Sequence, residues 1–166
     1  MSESNWSESN WSESNWSESN WPDTLQPAQP ADVQFLLTIF WTQLAVLGDL
    51  LPRGQFLLTA EQLHLLRQII LQMMLALNGI QRPATRDLNA YLSTSQRAAL
   101  EKTLILPQVD EDAWIGQAVA LVVIYRWYAP QLVAKFSLLY PREQENAAWQ
   151  TLVATLPTWP KQITTE

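Results

Sequence analysis

Chemistry in this chain would have to start from very few residues. His64 is the only histidine, and there is no cysteine. Thiolate metal sites, disulfides and cysteine nucleophiles are therefore excluded. Glu61 stands three residues before His64, the Glu-x-x-His spacing found in carboxylate di-metal bundles. Such centres need a second pair and further inward carboxylates. Here one pair falls on the polar side of its segment, so it reads as a solvated histidine beside a surface glutamate. Asp110-Glu111-Asp112 is the other acidic grouping. Successive helical positions point about 100° apart, so three in a row do not close on one ion. They suit the positive end of a helix dipole instead.

Other catalytic devices are missing from the residue order. Gly48, Gly54, Gly79 and Gly116 are isolated, so no glycine-rich loop can cradle a phosphate. No serine sits in a G-x-S-x-G elbow, and a triad would have only His64 to use. The expectation is a non-enzymatic protein with no catalytic residue, no metal ligand set and no cofactor.

Tyr125-Arg126-Trp127-Tyr128 is the one grouping that points to recognition. On a helix these four residues spread over all sides, so they cannot all be core. Arg126 lies between π faces on which a guanidinium can stack. Trp, Tyr and Arg are also the residue types that dominate interface hot spots. The four are the candidate partner-binding residues. The competing assignment has Tyr125 and Trp127 finishing the core while Arg126 points to water.

The elements that must position these residues are helical. Val33, Leu36, Leu37, Phe40, Leu44 and Leu47 recur at three- and four-residue steps, which predicts a first helix over 32–50. Thr59 and Gln62 have the spacing of a capping box, and Gly79 stands where a left-handed cap would end a second helix. Thr85 can cap a short helix over 86–92, and Thr94 or Ser95 another to about Leu104. The acidic triplet opens an apolar segment over 113–128, which Pro130 is expected to break or kink. A further helix reaches Leu139. Pro141 is expected at the first position of the last helix, which carries Trp149, Leu152, Val153 and Leu156 on one face. With four glycines in all, tight strand turns are scarce. The expected fold is all-α: a compact bundle of six or seven helices over 31–160, with 161–166 a disordered C-terminus.

Ahead of this domain stands one pentapeptide, SESNW, written four times from Ser2 to Trp21. A five-residue step turns about 500° on a helix and alternates faces on a strand, so the four indoles never form a stripe. Serine and asparagine compete with the backbone for hydrogen bonds. Residues 1–30, repeat and Pro-rich connector together, are therefore expected to be a disordered low-complexity tail. The Asn-Trp-Ser triplets match the N-glycosylation pattern, which is too short to carry weight alone.

Charge divides the same way. The formal net charge is −6, from 10 basic and 16 acidic residues. Glu3, Glu8, Glu13, Glu18 and Asp23 lie in the tail, which leaves the body nearly neutral with its cations scattered. Phosphate contacts need clustered Lys and Arg, so no nucleic-acid partner is expected. No run reaches the roughly 20 apolar residues of a membrane span, so no transmembrane segment is expected; peripheral membrane contact stays open. With neither a basic-apolar leader nor cysteines, the expected location is cytoplasmic. The function these readings favour is protein–protein interaction, as an adaptor, assembly or regulatory factor, with another protein or by self-association. A small-molecule or lipid-binding bundle with Met73 and Met74 lining an apolar cavity is the alternative. A nucleic-acid-associated regulator is a weaker one.

Overall fold

The computed structural model describes residues 27–80 and 88–163. Of the expected tail over 1–30, residues 1–26 lie outside the described residues, as does the end of the chain from 164; Pro27 bridges to Ile80 and Pro30 is the first residue of α1. Helix α1 spans Pro30–Ala45. A single turn, α2, follows at Leu47–Leu50. Then come α3 at Phe56–Leu77, α4 at Thr94–Lys102, α5 at Glu111–Phe136 and α6 at Arg142–Thr155. Leu88–Tyr91 is a 3₁₀ turn. The all-α class holds, with no strand among the described residues; Pro27 and Ile80 form an isolated bridge.

The expected six or seven helices are not matched. Five helices of nine residues or more are present among the described residues, besides the single turn α2. Two departures account for this. The segment expected as a helix over 86–92 is a 3₁₀ turn where it is described. Pro130 does not divide α5, which runs through it to Phe136. Proline removes one N–H, the donor that would have reached the Arg126 carbonyl. One residue further on, the Gln131 side-chain amide donates to the Trp127 carbonyl at 2.8 Å. Buried Tyr128, Ala129 and Leu132 on both sides of the proline hold the helix to the core.

The ends of the helices show which local signals act. Asp110 caps α5, its Oδ1 accepting from the Ala113 N–H at 2.8 Å, and Glu111 and Asp112 fill the first turn. The acidic triplet is thus a helix start. The start of α4 is Ser93, with Gln96 completing a reciprocal capping box, rather than Thr94 or Ser95. Helix α3 starts at Phe56, so Thr59 is internal and its hydroxyl donates to the Gln55 carbonyl. Gln62 serves a different purpose: its amide donates to the Gln43 carbonyl on α1 at 2.7 Å. Gly79 takes φ 91, and the Ile80 N–H reaches back to the Leu75 carbonyl to close α3. Pro141 is the residue before α6, one position earlier than expected.

Contacts fix the directions of the helices. The Gln62–Gln43 bond joins the start of α3 to the end of α1, and Gln72 and Ala76 share a cavity wall with Val33 and Leu36, so the two run antiparallel. Phe56 meets Trp114 at one end of α3 and α5, and Lys135 Nζ donates to the Leu77 carbonyl at the other, so these two run parallel. The crossover between them carries α4. Gln34 exchanges hydrogen bonds with Leu139 at 3.0 and 3.1 Å, which places the start of α6 beside the start of α1. At the far end α2 lies against α6 so closely that a Cβ on Gly48 would sit 2.6 Å from Thr155 Oγ1. The core is continuous, from Val33, Leu37, Phe40 and Trp41 through Leu63, Leu66, Ile70, Met73 and Met74 to Leu121, Tyr125 and Leu132.

The stretch Pro30–Leu50 is long and apolar enough to cross a membrane, with a mean hydropathy of 1.4 over its window. The sequence reading expects no span there, because Gln34, Thr38, Thr42 and Gln43 interrupt the run. In the fold half of that window is buried, and Val33, Leu37, Phe40, Trp41 and Leu44 are all 1% exposed or less. Its apolar face is a core face.

Candidate interaction site

The four residues 125–128 do not form one patch. The inward positions of α5 are Trp114, Ala118, Leu121, Tyr125, Tyr128 and Leu132, which recur at three- and four-residue steps. Tyr125 is fully buried. Its ring stacks on Phe40 at 4.3 Å and its hydroxyl donates to the Leu37 carbonyl at 2.8 Å. Trp41 meets the same ring edge-on at 5.0 Å. Burial drives the Tyr125 phenol far above its ordinary pKa, and neighbouring Tyr140 adds to the rise. Tyr128 is also buried, and its phenol is raised by burial. Both tyrosines are core residues that join α5 to α1 and its neighbours.

Arg126 faces sideways, toward α6. Its Nε and Nη2 donate to Glu145 Oε1 at 3.0 and 2.8 Å. Its Nη1 donates to the Ile163 carbonyl at 3.2 Å, and its guanidinium lies 5.1 Å from the centre of the Trp149 ring. The two charged side chains retain 24% and 15% exposure. Tyr140 lies near the same carboxylate. Burial raises its phenol first, and the Glu145 carboxylate beside it raises it further.

The segment after α6 folds back over this pair as a strap. Trp159 is buried and meets Trp149 edge-on at 5.5 Å. The Trp149 indole donates to the Lys161 carbonyl at 3.2 Å. Lys161 and Ile163 are thus held against α6 and α5 by Trp149 and Arg126. Arg126, Glu145, Trp149, Lys161 and Ile163 line a shallow cavity of about 430 Å³.

Trp127 is the outward member. It is 65% exposed. Of the five tryptophans among the described residues, Trp41, Trp114 and Trp159 are buried and Trp149 is covered in part by the strap. Trp127 stands on the outer face of α5 with Gly116, Val123, Pro130, Gln131 and Ala134, all exposed and uncharged, between exposed Asp112 in the first turn and Lys135 in the last. The assignment that put Tyr125 and Trp127 in the core and Arg126 in water is right for Tyr125 only.

The other candidate chemistry disperses. His64 and Glu61 are exposed on α3. No three His, Cys, Asp or Glu side chains come together as a metal would require among the described residues. Met73 and Met74 are fully buried in the core. A second cavity, of about 320 Å³, opens between α1 and α3 and reaches neither of them. Sequence reasoning missed one polar cluster. Arg67 donates to Thr103 Oγ1, the Thr103 carbonyl and Gln117 Oε1 at 3.0, 3.0 and 2.9 Å, and burial lowers its pKa. These contacts pin the crossover to α3 and α5, a structural use of the charge.

The chain matches no protein-family model, no curated protein sequence and no solved structure.

Proposed function

We propose that this is a non-enzymatic helical protein that works by binding another protein, and that the contact surface is the outer face of α5 centred on Trp127. The observation that carries the reading is the exposure of this one indole on an uncharged face while its neighbours Tyr125 and Tyr128 are buried. Leaving an indole in water forgoes the burial that makes aromatics the main contributors to cores and interfaces. Its surroundings also fit a hot-spot centre: an aromatic anchor flanked by small and apolar residues that exclude water when covered. The partner role of Arg126 becomes indirect, since its guanidinium is committed to Glu145 and the strap.

The test is Trp127→Ala in the full chain. Binding to the partner should weaken about 30-fold or more, the effect of a hot spot worth about 2 kcal/mol. Stability should change by no more than about 0.5 kcal/mol, as for a surface position. Affinity capture with mass spectrometry identifies the partner, and native mass measurement detects self-association. A variant that keeps every partner and the same mass removes α5 as the contact surface.

A further inference from the structure

The cavity between α1 and α3 has an occupant within reach on the same chain. Its walls are Ala28, Val33, Phe35, Leu36, Ala76 and Ile80, with Gln29, Asp32 and Gln72 as polar members. Phe35 is 63% exposed, the most exposed aromatic ring beside Trp127 among the described residues. The volume, about 320 Å³, suits one aromatic side chain with its neighbours. The chain enters the described structure here, because Pro27 bridges to Ile80 at the cavity wall. The 26 residues that precede it contain Trp6, Trp11, Trp16 and Trp21.

We propose that this cavity is a docking site for the chain's own SESNW segment, with the Trp21 indole seated between Phe35 and Gln72. Distance selects Trp21. It lies six positions before Pro27, a span of at most ~20 Å when extended. Trp16 and the earlier copies sit progressively further away, so their effective concentration at the cavity falls. Chemistry selects an indole. The walls mix apolar side chains with Gln29, Asp32 and Gln72, which suits an amphipathic ring; Phe35 offers an edge or a face for packing, and Gln72 offers the Nε1–H an acceptor. The acidic residues of the repeat weigh against a deeper insertion of the whole segment, since Asp32 at the cavity carries the same sign. This site is separate from the α5 face, so either can fail without the other.

The experiment is ¹⁹F NMR of the full chain with every tryptophan replaced by 5-fluorotryptophan. Trp6, Trp11 and Trp16 share the same flanking residues, SESN before and SES after, so they report one common environment when unbound. Trp21 is identified by the resonance lost in W21F. Its signal should differ from that in a synthetic peptide of residues 1–26, independently of protein concentration. Phe35→Ala and Gln72→Arg should each return it to the peptide position. The resonances of the described tryptophans confirm that both variants remain folded. A Trp21 signal that already coincides with the peptide overturns the proposal. So does a shift that survives both substitutions, a shift of Trp16 in place of Trp21, or a shift that disappears on dilution, which would assign the site to a second copy's segment.

Discussion

Replacing Tyr125 by phenylalanine removes one oxygen from the centre of the fold, and its consequences can be worked out at two pH values. At neutral pH the variant loses the 2.8 Å hydrogen bond to the Leu37 carbonyl. The ring stack on Phe40 survives, because phenylalanine keeps the ring. The Leu37 carbonyl also keeps its place in the backbone ladder of α1, so it is not orphaned. The cost should be that of one neutral hydrogen bond, about 1 kcal/mol. Alkaline conditions reverse the order. The folded-state pKa of Tyr125 is raised by burial above the ordinary value of 10.0. The unfolded chain then releases the phenolic proton while the folded chain keeps it. Stability from this group is complete below pH ~10 and falls above it, by about 1.4 kcal/mol per pH unit once the unfolded tyrosine is ionised. Phenylalanine has no proton to lose. The parent and Tyr125→Phe should therefore cross between pH 10 and 11, at roughly pH 10.6, with the variant the more stable beyond it. Other groups that titrate there are common to both chains and cancel in the difference. Urea unfolding followed by far-ultraviolet circular dichroism, extrapolated to water at pH 7, 9, 10 and 11, measures it. A stability difference that stays constant across these pH values would refute the burial argument. A difference near zero at pH 7 would refute the hydrogen bond.

Two further outcomes follow from the same packing. Arg126→Ala leaves Glu145 partly buried without its cation. Allowing for the exposure the pair retains, it should cost about 1–2 kcal/mol in urea unfolding, and Glu145→Gln should cost less because the amide oxygen still accepts. Proteolysis should cut near Lys161 sooner in Arg126→Ala, since Ile163 loses its anchor. Gly48→Ala should cost about 1–3 kcal/mol by overpacking α2 against α6. Thr155→Ala should recover part of that loss in the double variant, and strict additivity of the two would count against the close approach.

How far the sequence could be read depends on which residue is asked. The core face of α1 was legible because Val33, Leu37, Phe40 and Leu44 follow the helical period without interruption. Asp110 and Gly79 were legible because a cap is a local event, settled within a few residues. Thr59 was not: its spacing to Gln62 imitates a cap, and only the contact of Gln62 with Gln43 on another helix shows why Gln62 is there. Of the expected break or kink at Pro130, the break does not occur, because the lost hydrogen bond is local while the burial that outweighs it is tertiary. In the tyrosine-tryptophan cluster the signal was present. Counting threes and fours from Trp114 through Leu121 reaches Tyr125 and Tyr128 and leaves Trp127 outside. The Arg126–Glu145 pair was beyond reach, because nothing in a sequence separation of 19 announces which helix will turn back.

The bond between Gln34 and Leu139 spans 105 positions, and it has a consequence for synthesis. Helix α1 completes its packing only against α6. At 5–20 residues per second, the apolar face of α1 waits roughly 5–20 seconds for α6 to be made. During that interval Pro30–Leu50 is a nascent segment with the length and hydropathy of a membrane span. Early pairing with α3, which follows within a few seconds, is then the step that hides it. Slow translation between Leu51 and Leu77 should raise its capture by chaperones or its aggregation, while slow translation after Leu77 should matter less.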